Sequence, residues 1–247
     1  MAHDELREMP ILEHLAELRR TVFWSAGFAI VASILAWFFA EPIVDRLLRP
    51  AATASDQPLI FTGPMEAFIL KIKAAAVVGL FLVLPLILHR IYLFVIPGLH
   101  ARERRWATPL LASAIALFYT GVAFCLFILI PIVIRFGLDQ ATEWLQPMLR
   151  ATEYFGFVAR LCLAFGLLFE LPMVVFALSW AGVVSPRFLL RGWRYALVII
   201  LVVSALLTPP DVVSQVMLAG PVMLLYLLSC VIATAVTRRR KRPPDGN

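Results

Sequence analysis

Long apolar runs alternate along this chain with short stretches that collect its charge and proline. Thr21 to Ala40 and Trp106 to Ile134 contain no charged residue, and Leu161 to Val184 is interrupted only by Glu170. A helix rises about 1.5 Å per residue and a hydrocarbon layer is about 30 Å thick, so about 20 apolar residues suffice to cross it. Each of these three runs therefore predicts a transmembrane helix. A further run, from about Phe68 to about Arg90, carries Lys71 and Lys73 near its first turn and Pro85 towards its far end. The last two runs, Tyr195 to Thr208 and Val212 to Thr237, are separated only by Pro209, Pro210 and Asp211, which cannot continue a helix and force a tight reversal, and Gly220-Pro221 is expected to interrupt the second and leave both arms short. The pattern predicts an all-α polytopic membrane protein, a single domain over residues 1–236 with six spans at about 21–40, 68–90, 106–134, 161–184, 195–208 and 212–237. Residues 237–247, TRRRKRPPDGN, read as a disordered basic tail.

Ahead of the first span, Ile11, Leu15 and Leu18 recur at helical spacing opposite a face of acids and arginines, which predicts an amphipathic helix lying in the interface. Pro10 at its first position, Glu13 near the positive end of its dipole and Arg19 and Arg20 near the negative end would suit a plain lead-in helix equally well. The N-terminal stretch lacks the basic start and small-residue cleavage site of a signal peptide, so the first span is expected to stay in the mature protein. Two connections, about 41–67 and 135–156, are rich in Pro, Asp and small residues yet carry Leu59, Ile60, Phe61, Trp144 and Leu145. They are expected to form short interfacial helices or caps.

Composition then excludes water as the main solvent. The chain has 247 residues, 62% hydrophobic and 15% charged, against about 45 to 50% apolar and 25% charged in a soluble domain. The net charge of +6 would suggest nucleic acid, but Arg238, Arg239, Arg240, Lys241 and Arg242 supply most of it in one run. In a membrane protein such a run marks the cytoplasmic side, and no nucleic-acid partner is expected. With the N-terminus inside, fifteen basic residues fall on the inner side and six on the outer: Arg46, Arg49, Lys71, Lys73, Arg135 and Arg150. Arg160 is expected at the start of the fourth helix, snorkelling to the outer headgroups. Both termini are thus expected to be cytoplasmic. Cys125, Cys162 and Cys230 each lie alone in an apolar run and imply neither a disulfide framework nor a metal cluster.

Enzymatic chemistry finds no support in the sequence, because phosphate-cradling, dinucleotide-binding, zinc-protease and nucleophile-elbow motifs are all missing from it. His3, His14, His89 and His100 are not placed as metal pairs, so neither a metal nor a cofactor is expected. What stands out is a few carboxylates in costly places. Glu170 lies deep in an apolar run, where an Asp costs about 2.5 to 3.5 kcal/mol on insertion scales. It reads either as a protonated side chain bonded to a neighbouring helix, helped by the Leu168 carbonyl that Pro172 frees, or as a polar docking point for a substrate or partner. Glu103 stands alone among Arg90, Arg102, Arg104 and Arg105, either neutralising them or held for a cationic ligand.

Several stretches carry a family resemblance: His14-Leu-Ala-Glu-Leu-Arg19; Phe61-Thr-Gly-Pro64 followed by Glu66 and Phe68; Pro97-Gly-Leu99 with Glu103-Arg104-Arg105; Ala164 to Pro172; and Leu206-Leu-Thr-Pro-Pro-Asp-Val-Val-Ser-Gln215. In this order, over about residues 10 to 236, the chain resembles the TatC family, the six-span receptors of the twin-arginine protein translocase. The resemblance implies a cytoplasmic-membrane protein that recognises folded precursors through a signal peptide bearing consecutive arginines. It implies assembly with single-span subunits of the TatA and TatB type, a homo-oligomer within the complex, and transport driven by the proton motive force without nucleotide. Position by position, Glu17 and Glu103 match the family's acidic contacts for the arginine pair, and Arg19, Phe94, Pro97 and Leu99 the surrounding surface. Glu170 matches its intramembrane carboxylate, and Thr208, Asp211 and Gln215 match its partner-docking turn. Without the family, Thr208 merely closes the fifth helix and Gln215 faces the headgroups. His89-Arg90 departs from relatives that carry an aromatic or aliphatic residue followed by Gln. The rival class is an ion-coupled secondary transporter, which Glu170 and the proline-broken helices would also suit, although the chain lacks an internal repeat and a second intramembrane carboxylate.

Overall fold

The structure is a computed structural model that describes residues 11–95, 101–142, 144, 146–208 and 212–241, the side chains of 11–15, 17–18, 91–95, 101–108, 181 and 238–241 excepted. Ten α-helices account for most of it: α1 (Ile11–Trp37), α2 (Ala40–Ser55), α3 (Glu66–Val95), α4 (Ala101–Phe124), α5 (Ile130–Leu138), α6 (Ala151–Leu168), α7 (Leu171–Ala181), α8 (Pro186–Arg191), α9 (Trp193–Leu207) and α10 (Val212–Lys241). A π-helical turn, Cys125–Leu129, joins α4 to α5. Among the described residues, Arg19–Trp37, Glu66–Arg90, Pro109–Leu138, Ala151–Trp180 and Val212–Thr237 are long and apolar enough to cross a membrane, and α9 is a shorter apolar helix. The six predicted spans correspond to these six segments, and the chain is an integral membrane protein.

Several boundaries differ from the sequence reading. The amphipathic stretch before the first span is not a separate element, because α1 runs unbroken through both. The fourth span starts at Ala151 rather than Leu161 and is broken at Phe169 and Glu170 into α6 and α7. Arg160 consequently lies well inside α6, where its Nε donates to the Gly156 carbonyl (3.1 Å). Gly220-Pro221 does not interrupt α10, which continues through the first residues of the expected tail to Lys241. Proline removes one backbone donor, and a helix in lipid still has every other bond within itself.

Local chemistry explains the ends. Gly182 adopts φ 80°, and the Val183 N–H donates back to the Leu178 carbonyl (2.9 Å), closing α7. Ser185 then accepts from the Phe188 N–H (3.2 Å), with Pro186 in the first turn of α8. Of the two long connections, the first forms the amphipathic helix α2. The second contributes Arg150, whose backbone forms a parallel bridge with Ile60 through Ile60 N–H to Leu149 O (3.0 Å) and Ala151 N–H to Ile60 O (2.9 Å).

The chain forms two compact units, Met1–Ile43 with Lys71–Ile115, and Val44–Leu70 with Ala116–Asn247. In the first, Ala36, Ala40 and Ala75 are buried together with Val78 against them. Gly79 abuts the backbone of Ser33 so closely that no Cβ fits, the small-residue contact by which membrane helices approach. In the second unit, α4 and α6 exchange glycines for phenylalanines. A Cβ on Gly121 would lie 2.5 Å from the Phe165 carbonyl and 2.9 Å from the Phe169 ring, and one on Gly166 would enter the Phe118 ring. Phe118 and Phe165 are fully buried.

Candidate functional site

Glu170 follows directly from that glycine–phenylalanine packing. Phe165 stacks on Phe124 (5.8 Å between centroids), and Phe169 lies 5.5 Å from the same ring, so the residues just before Glu170 are fixed against α4. Pro172, in the first turn of α7, cannot donate to the carbonyl one turn back, and the helix breaks at that place. The break is bridged by tighter bonds, Glu170 N–H to Leu167 O (3.1 Å) and Met173 N–H to Glu170 O (3.0 Å). Glu170 is half-buried, and its Oε1 is a buried atom with no hydrogen-bond partner among the described residues. Burying an oxygen without a partner is unfavourable by about 1 to 3 kcal/mol. The arrangement therefore offers a strong acceptor, or a donor if protonated, to an incoming polar group.

The last hairpin uses its polar side chains internally. Thr208 is buried at the end of α9, its hydroxyl donating to the Ser204 carbonyl (2.8 Å). Gln215 Nε2 donates to the Leu201 carbonyl (2.9 Å), tying α10 to α9 across the turn. An amide has two donors and an acceptor, so this bond leaves Gln215 its carbonyl oxygen and one N–H. Asp211, in the turn itself, lies outside the described residues.

A polar clasp that the sequence alone does not reveal holds the two long connections together. Glu66, in the first turn of α3, accepts from the Thr62 N–H (2.7 Å) and hydroxyl (3.1 Å) and is reached by Arg150 Nη2 (3.4 Å). Arg150 Nη1 in turn donates to Glu153 (2.6 Å). Glu66 is only 11% exposed, unlike Glu153 at 68%, so the two ends of the clasp differ in solvent screening. Thr62 and Glu66 were visible as part of a motif; nothing in the sequence pairs them with Arg150.

Of the expected recognition residues, Glu17 and Arg19 lie on α1, Phe94 on α3 and Glu103 in the first turns of α4, and all four belong to the first unit. Arg19 is exposed. The side chains of Glu17, Phe94 and Glu103 are outside the described set, and Pro97 and Leu99 lie outside the described residues altogether. The departure at Arg90 has a local partner: its guanidinium carbon lies 6.0 Å from the centroid of the Phe28 ring on α1.

The family model for the Sec-independent protein translocase protein (TatC) matches residues 13–221. Relatives of that name include one from Koribacter versatilis, 34% identical over 83% of this chain and 77% of its own. Another, from Carboxydothermus hydrogenoformans, is 36% identical over 88% of this chain and 89% of its own. A crystal structure of a twin-arginine translocase receptor, TatC, is 34% identical and superimposes with a TM-score of 0.84, covering 92% of this chain and 100% of that one. With a family model matched over most of its length and a solved relative superimposing on nearly all of it, the chain belongs to the TatC family of Sec-independent protein translocase proteins.

Proposed function

We propose that this chain is the signal-peptide receptor and core subunit of a twin-arginine translocase, binding folded precursors for export driven by the proton motive force and catalysing no reaction itself. The observation that carries this reading is the likeness, at 34% identity and a TM-score of 0.84, to a solved receptor of that system. A small-solute carrier is not favoured by the same comparison. Both termini face the cytoplasm, as the excess of basic residues on that side supports. Glu17 and Glu103 receive the two arginines of the signal peptide, with Arg19, Phe94, Pro97 and Leu99 around them.

A guanidinium presents a planar fork of N–H donors that matches one carboxylate, so two adjacent arginines facing two separated acids are read by geometry as well as by charge. Lysine offers no such fork. Each pair contributes about 1 kcal/mol while hydrated and about 3 kcal/mol once the peptide excludes water, enough to select and too little to anchor. The apolar segment of the signal peptide adds affinity by packing among the spans, where Glu170 offers an unpaired oxygen. Single-span TatA and TatB subunits dock at the turn of Thr208, Asp211 and Gln215, and further copies of the chain complete the complex.

Photocrosslinking of a signal peptide through a probe beside its arginines tests the reading. Glu17→Ala and Glu103→Ala should each weaken the crosslink, and a lysine at either position should weaken it further by adding repulsion. Unchanged crosslinking in the double alanine variant would refute the assignment of these two acids.

A further inference from the structure

The corner between α8 and α9 is a further polar feature, built from residues other than those proposed to receive the signal peptide. Arg187, Arg191 and Arg194 are all exposed there, as are Phe188, Leu190, Trp193 and Tyr195. The Arg194 guanidinium lies over the Trp193 ring at 5.7 Å. No aspartate or glutamate occurs between Leu171 and Leu207, so these three charges have no acidic neighbour along that stretch of sequence. The corner is also firmly built. Ser185 caps α8, the Tyr226 hydroxyl donates to the Leu189 carbonyl (2.6 Å), and Gly192 lets the chain turn where a Cβ would lie 3.2 Å from the Phe188 carbonyl.

Its depth is unusual. Tyr226 fixes the level of the corner on α10, and the apolar part of α10 continues from there to Thr237, about 16 Å further along the axis. Leu227, Leu228 and Val231 on that continuation are 45 to 65% exposed, as expected of a lipid-facing surface. Three arginines therefore stand beside a helix that is still apolar at their level, and charged groups so placed are stabilised by drawing phosphate to themselves.

We propose that the α8–α9 corner is a binding site for an anionic glycerophospholipid, its phosphate held by Arg187, Arg191 and Arg194. Guanidinium forks donate to the non-bridging phosphate oxygens. Trp193 and Tyr195 stand at the headgroup level, where their amphipathic rings are favoured, and the acyl chains run along the exposed Val198, Ile199 and Val202 of α9. An anionic lipid is preferred over a zwitterionic one because the cluster brings three positive charges and no negative one.

Native mass spectrometry of the full chain, released from vesicles of equal phosphatidylglycerol and phosphatidylcholine, tests the site. The wild type should retain phosphatidylglycerol preferentially. The triple variant Arg187→Gln, Arg191→Gln, Arg194→Gln should retain at least about tenfold less, the loss expected from a single charge-assisted bond. The corresponding triple lysine variant, which keeps charge but not the fork, should fall between them and guards against a folding defect. Arg238→Gln with Arg239→Gln and Arg240→Gln should change nothing. Equal retention of both lipids, retention unaltered in the glutamine variant, or an equal loss from the tail variant would overturn the proposal. So would displacement of the lipid by millimolar inorganic phosphate, which would identify a free-anion site instead.

Discussion

Glu170 and Arg160 lie on the same apolar span, and the chain accommodates them by different means. Arg160 is exposed and long enough for its head to leave the apolar surface while its stem covers it. Glu170 is too short to do the same, and the break between α6 and α7 gives it backbone bonds but leaves Oε1 without a partner. A carboxyl that serves by hydrogen bonding rather than by charge should be replaceable by an amide of the same shape. Glu170→Gln should therefore keep most export activity, whereas Glu170→Ala should lose partner contact, read as crosslinking to a single-span subunit, while the thermal unfolding profile in detergent stays close to that of the wild type. Equal damage from both would mean that charge is what matters there. Glu170 was legible because one acid in an apolar run has no other way to be read. The Glu66–Arg150 clasp was not, because its members are 84 positions apart and each looks like an ordinary polar loop residue alone.

At the scale of helices, the spans were legible from hydropathy and the boundaries were not. Arg150, Glu153 and Arg160 lower the apolar average ahead of Leu161, so hydropathy alone starts the fourth span there. Ala151, Tyr154, Phe155, Val158, Leu161, Cys162 and Phe165 are nevertheless all buried and form one helical stripe, so the core-facing side of α6 begins ten residues earlier. Pro221 misled in the opposite direction, since a proline that ends a helix in water is tolerated in one whose alternatives lie in lipid. Helix-to-helix contact was not legible at all: Gly121 and Gly166 looked like ordinary small residues, yet each receives a phenylalanine of the facing helix. Gly166→Ala should overpack the α4–α6 contact and destabilise the protein by about 1 to 3 kcal/mol, measured by denaturant titration in detergent. Phe118→Leu in the same chain should recover part of that loss, because the clashing ring is gone. A Gly166→Ala variant as stable as the wild type would mean that the two helices separate at little cost.

At the scale of the whole molecule, the spans are unequal while the bilayer is one solvent. The sequence suggested that both arms of the last hairpin are short, with Gly220-Pro221 cutting the second. Only one is: α9 has 15 residues, about 22 Å, whereas α10 has 30 and is continuous. The hydrocarbon layer is about 30 Å thick, so α9 falls about 8 Å short of it, and tilting would only shorten its reach; the Gln215–Leu201 bond ties it to α10, and the Tyr226–Leu189 bond ties α8, at its start, to the same helix. Thinning of the lipid beside α9 would take up the difference. Val198, Ile199, Val202 and Leu206 are exposed along α9 and report on that lipid directly. Spin labels placed singly at Tyr195 and Leu206 in a membrane of known thickness should both read as near-interfacial, with Val198 and Val202, each two residues from the midpoint of α9, reaching the depth of the bilayer centre. Labels on the exposed Ile30 and Ile34 of α1 should read as deep in the same membrane. If Tyr195 and Leu206 prove as deeply buried as the α1 positions, the bilayer keeps its full thickness beside α9 and the hairpin must be strained instead. Gln215→Leu would then relieve that strain and raise stability, whereas with a thinned bilayer the same substitution should lower it by the loss of one interhelical bond, about 0.6 to 2 kcal/mol.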